Sequence, residues 1–125
     1  MPRPDAVRRV KSYSAANGFV YQYLFYEMNR IADQNGAAGE FIYAVTSNRK
    51  TTFAVRIFIR QSAVDEWAGR NGRSLTSSEE YAVAKMRLFH GFDAGEVPPG
   101  MDSGVAVTLS VDTSNLEGLL EALNI

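Results

Sequence analysis

From Thr51 to Arg60 the chain alternates: Phe53, Val55, Ile57 and Ile59 fall on one side, and Ala54, Arg56, Phe58 and Arg60 on the other. Period two sustained over this length predicts a strand with one buried face. Phe41 to Ser47 repeats the pattern with Phe41, Tyr43 and Val45, and the short polar turn Asn48-Arg49-Lys50 joins the two into an antiparallel hairpin. Upstream, Phe19 to Met28 is dense in aromatic residues, and Phe19, Tyr21, Tyr23 and Phe25 would share a face, which favours a strand. Val20, Leu24, Met28 and Ile31 also fit helical spacing, so a helix ending at Asn35-Gly36 is the rival reading. Asp33 to Gly39 reads as a loop in either case.

The second half changes period. Ser62 is a candidate cap for a short helix with Val64, Trp67 and Ala68 on its apolar side, closed by Asn71-Gly72. A longer helix runs from about Ser78 to Asp93, and both Thr76/Glu79 and Ser77/Glu80 have capping-box spacing. After a loop containing Pro98-Pro99-Gly100, Val105 to Val111 reads as a fourth strand. Ser114, with Glu117 three residues on, opens a last helix whose Leu116, Leu119, Leu120 and Leu123 make one stripe. The resulting order is β-β-β-α-α-β-α. It predicts an α+β fold, a mostly antiparallel four-stranded sheet with helices on one face, preceded by an N-terminal arm over residues 1–17, with residues 18–125 as a single domain. The strand–helix passage from Phe53 to Trp67 resembles small bacterial domains, which implies nothing about activity.

Composition narrows the chemistry. The 125 residues include no cysteine, which excludes disulfides, thiolate nucleophiles and cysteine metal sites. No run approaches the roughly 20 apolar residues of a membrane span, and the first residues lack a signal-peptide pattern; a soluble, cytoplasmic protein is expected. Residues 1–60 hold nine Arg/Lys against four Asp/Glu, a balance of +5, and residues 61–125 hold four against ten, a balance of −6. Basic strands facing acidic helices account for this without a ligand; the basic arm residues Arg8, Arg9 and Lys11 are the candidate anion contacts.

Few residues carry specific chemistry. His90 is the only histidine, so the usual imidazole-based metal site is excluded, and no metal or cofactor is expected. His90 and Asp93, three apart on the long helix, could pair as base and orienter. Lys85 falls between two apolar rows of that helix: Tyr81, Ala84, Leu88 and Phe92 on one side, Ala82, Met86 and Phe89 on the other. A desolvated lysine can lose its proton and act as a base or imine former. More often such a lysine lays its stem on apolar surface and keeps its ammonium in water or on a carboxylate, and that is the expectation here. No phosphate-binding glycine loop or nucleophile elbow occurs.

The second face of the hairpin is the leading candidate surface. Ile42, Ala44 and Thr46 would join Arg56, Phe58 and Arg60 there. An aromatic between two arginines can stack bases and hold phosphates, or form a dimer seam, where Arg and aromatic residues are enriched. The acidic pI of about 5.8 and the absence of an RNA-recognition signature weigh against nucleic acid. The expected function is therefore self-association, most simply a homodimer, or a protein partner on Ile42, Arg56, Phe58 and Arg60, without enzymatic activity. The alternatives are nucleic-acid binding through the arm and sheet, or a small enzyme with a pocket around Lys85, His90 or the Tyr21/Tyr23 row.

Overall fold

A computed structural model describes residues 9–99 and 106–125. The sheet has five strands in sequential order: β1 (Lys11–Ser14), β2 (Val20–Asp33), β3 (Gly36–Thr46), β4 (Phe53–Arg60) and β5 (Ala106–Val111). Three helices, α1 (Gln61–Asn71), α2 (Ser77–Asp93) and α3 (Leu116–Ala122), complete the fold. The α+β class agrees with the sequence reading, but the sheet is mixed and has a fifth strand. β1 to β4 form an antiparallel meander, whereas β5 runs parallel to β4, with Ile57 opposite Leu109. Parallel neighbours need a crossover rather than a turn, and α1 and α2 supply it.

Four local expectations are corrected. Lys11–Ser14, placed in the N-terminal arm by its short polar sequence, pairs with Val20–Tyr23; a four-residue edge strand is too short to show its period. Asp33 to Gly39 is no loop: β2 runs to Asp33 and β3 starts at Gly36, whose φ of 102° allows a two-residue turn. Ser62 does not cap α1, which starts from Arg60 without a side-chain cap as the chain passes straight from β4 into helix. Ser114 does not cap α3 either. Its hydroxyl donates to Asp112, and Asn115 holds the cap position with its side chain bonded to the backbone of Ser110 and Asp112. The long helix has its capping box on Thr76/Glu79, with bonds of 3.1 and 2.9 Å.

The strand-versus-helix ambiguity of the aromatic run has a structural cause. Phe25 pairs with Tyr43 but Glu27 pairs with Ile42, so Tyr26 is the extra residue of a β-bulge. Odd residues Tyr21, Tyr23 and Phe25 face the helices before the bulge, and even ones such as Met28, opposite Phe41, face them after it. This one-residue change of phase gives Leu24, Met28 and Ile31 a false helical spacing.

All three helices pack on one side. Phe53, Val55, Ile57 and Ile59 of β4 form one core with Trp67 of α1, Leu88 and Phe92 of α2, and Leu116 and Leu120 of α3, with Tyr81 and Leu123 packed at its margin. Tyr21 and Phe92 stack at 4.2 Å, and the Tyr21 hydroxyl donates to the Val97 carbonyl at 2.8 Å, which satisfies it in the interior. The Arg87 guanidinium donates to the Ser110 carbonyl and grips Glu96 with two bonds of 2.7 and 3.0 Å, tying α2 to β5. Leu120 is 1% exposed at the centre of the α3 stripe. Leu120→Ala should therefore cost on the order of 2–5 kcal/mol in chemical denaturation; a loss below about 0.5 kcal/mol, the usual range of surface substitutions, would contradict this placement of α3.

Candidate functional site

The other side of the sheet has no helix on it among the described residues. Strand pairing sets its side chains in rows across β2, β3, β4 and β5: Leu24–Ala44–Ala54–Ala106, Glu27–Ile42–Arg56–Thr108 and Asn29–Glu40–Phe58–Ser110. Ile42, Arg56, Phe58 and Arg60 thus lie on one surface, as the alternation predicts. A groove of about 400 Å³ runs through it, lined by Tyr26, Ile42, Ala44, Ala54, Arg56 and Ala106 among others. A smaller hollow of about 140 Å³, lined by Val10, Leu24, Ala44 and Thr46, extends it towards β1.

The bulge shapes this groove. It turns Tyr26 outward, 47% exposed, beside a row that is otherwise mostly alanine. The groove is a trough of small side chains with an aromatic wall. Tyr26 and Glu27 are missing from the sequence-based site because strict alternation does not carry through the bulge, and Leu24 and Ala106 because periodicity does not say which strands flank the hairpin or in what register. The break in the odd-numbered aromatic series after Phe25 is the signal that could have revealed it.

The charges of the face are paired within it. Arg60 donates to Asp33 at 2.9 Å and lies 5.6 Å over the Phe58 ring. Arg56 approaches Glu40 at 3.9 Å, and the Asn29 amide bridges Glu27 and Glu40 at 2.8 and 3.2 Å. Arg60 holds the Asp33 carboxyl below its ordinary value. With three carboxylates beside its two arginines, this is not the cationic surface that phosphate binding requires. Of the candidate anion contacts, Arg9 and Lys11 are exposed and Arg8 lies outside the described residues.

The helix-side candidates are separate from this face and from each other. His90 is exposed at a polar cleft of about 380 Å³ with Arg87, Glu96 and Asn115. Asp93 does not orient it. Its two oxygens accept the Tyr13 hydroxyl at 2.7 Å and the Ala16 amide at 2.9 Å, and Tyr13 stacks on Phe89 at 4.2 Å, so the carboxylate clasps β1 to α2. Lys85 lies on the same seam, with Nζ 5.9 Å from the rings of Tyr23 and Phe89. Its ammonium is expected in water or on a carboxylate; among the described residues no ion pair to a carboxylate is formed, the side chain is half-buried, and the charged neighbour is Lys11. Among the described residues no cluster of three or more His, Asp or Glu could hold a metal ion, and no helix is long and apolar enough to cross a membrane. Comparison with known proteins finds no matching family model, no similar curated protein and no similar solved structure.

The clasp has a pH signature. The Asp93 carboxylate accepts the Tyr13 hydroxyl proton and pushes that phenol up to about 12 from 10.0. A raised value means that the folded state favours the protonated form, so the stability is present below the ordinary phenol range and is lost as pH rises to about 12. The same bond lowers the Asp93 carboxyl, whose contribution is present above its ordinary value and is lost as pH falls through the lowered one. Wild type should therefore exceed Tyr13→Phe in denaturant midpoint at neutral pH, and the difference should close both in strong acid and above pH 10. A constant difference would mean that the hydroxyl is not bonded to Asp93.

Proposed function

We propose that this chain acts through self-association, two copies packing open face to open face. The observation that carries the reading is the row Leu24–Ala44–Ala54–Ala106, with Ile42 beside it: an apolar trough on the face that no described helix covers. Surfaces of this kind on a small domain mark interaction sites.

Three features favour a second copy as the occupant. A two-fold axis along β3 lays β2 of one copy across β4 of the other. Leu24 then lies over the second copy's Ala54, large on small, as stacked sheets about 10 Å apart require. Glu27 lies over the second copy's Arg56, opposite charges on the same row. Glu40 falls near the axis, and its charge is met within its own chain by Arg56 and Asn29.

Light scattering at micromolar concentration should return twice the 13.8 kDa of the chain. Ala54→Arg and Ile42→Glu, each placing a charge in the trough, should return the single-chain mass with unchanged circular dichroism. A wild-type chain of single mass rejects self-association. A dimer that survives both substitutions rejects this face.

A further inference from the structure

A hollow of about 250 Å³ lies on the helix side of the sheet, between the first turn of α2 and the β2–β3 hairpin. The β-bulge builds it. Because the bulge inverts the phase of β2, Phe25 before it and Met28 and Arg30 after it all face the helices, with Met28 opposite Phe41 and Arg30 opposite Gly39. A Cβ on Gly39 would stand 3.1 Å from the Arg30 guanidinium, so the glycine makes room for the arginine over β3. The walls are Phe25, Met28, Phe41 and Tyr81, and the Phe25 and Tyr81 rings meet at 5.2 Å and 87° to form an aromatic corner. Glu80 lines the hollow from α2 and is only 8% exposed. Arg30 comes to 3.2 Å from Oε1 and 3.4 Å from Oε2, yet no hydrogen is aligned on Oε1, which is buried and without a hydrogen bond among the described residues. A buried acceptor without a donor is costly, the more so on a charged group. The Arg30 side chain is 54% exposed, so it can exchange the carboxylate for water at little cost.

We propose that this hollow binds a small protonated amine with an apolar body, whose ammonium replaces Arg30 on Glu80 while its body lies against the rings. The surroundings select a cation. An ammonium supplies the donor that Oε1 lacks, and the faces of the surrounding rings attract positive charge. Glu79 and Glu80 make the first turn of α2 acidic, and its capping box occupies the Thr76 and Glu79 amides, which disfavours an anion. Arg30 keeps the carboxylate company until the amine arrives, so the two cations compete for one place. The hollow is on the opposite side of the sheet from the open face, and its occupation is independent of self-association.

The probe is benzylamine, protonated at neutral pH, titrated into isotope-labelled protein and followed by amide resonances. The amides of Phe41, Glu80 and Tyr81 should shift saturably. Benzyl alcohol, which has the same ring and no charge, should bind about tenfold more weakly. Glu80→Gln, which keeps the shape and removes the charge, should weaken benzylamine by a similar factor. Arg30→Gln, which removes the competing cation, should tighten it several-fold; this change at a half-exposed side chain keeps the test open if Glu80→Gln does not fold, and circular dichroism checks both. Equal affinity for the amine and the alcohol overturns the proposal, as does a folded Glu80→Gln chain that binds benzylamine like the wild type. Weaker binding by Arg30→Gln also overturns it, because the ligand would then be held by the guanidinium, and so does the absence of saturable shifts around the hollow.

Discussion

Parallel strands cannot be joined by a tight turn, and β4 and β5 are parallel. The chain must leave the end of β4, return along its length and re-enter beside it, and α1 and α2 make that return. Among the described residues the sheet contains this one parallel pair and hence one crossover, and the helices accumulate on the side where that crossover lies. α3 follows β5 onto the same layer and closes it with Leu116, Leu119 and Leu120. The absence of a described helix on the other face is thus a product of topology: an antiparallel meander brings no helix with it, so the connectivity of β1 to β4 places none on their second side.

Legibility in the sequence follows burial and phase. β4 is readable residue by residue because its faces differ sharply, Phe53, Val55, Ile57 and Ile59 against Ala54, Arg56, Phe58 and Arg60, and the core positions of α2 and α3 follow from their periodicity. β2 is readable as far as Phe25, where the bulge inverts its alternation. Strand direction is invisible to periodicity, which is why β5 reads as one more strand of an antiparallel sheet. β1 is hidden by its length and polarity, although Tyr13 stacks on Phe89 and anchors it.

The candidate residues divide on the same lines. Ile42, Arg56, Phe58 and Arg60 follow from alternation alone and do lie together. What alternation cannot supply is their neighbourhood: Asp33 and Glu40, which engage the two arginines, come from the other strands of the sheet. The projection of α2 puts Lys85 among apolar rows, but its charged neighbour is Lys11, 74 positions earlier in the numbering, on a strand that does not read as one. His90 and Asp93 have the right spacing to pair, yet the carboxylate is taken by Tyr13.

The short edge strand carries one more implication. β1 pairs with β2 over four residues and, among the described residues, has no strand on its outer side, whereas β3 and β4 are each flanked by strands on both sides. Segments with few neighbours open at much lower free energy than the centre of a sheet, without global unfolding. The amides of β1 should thus exchange with solvent through a local, reversible detachment, while those of β3 and β4 wait for the whole domain to unfold. The molecule has a hierarchy of opening built into its strand order, loosest at β1 and firmest at the middle of the sheet.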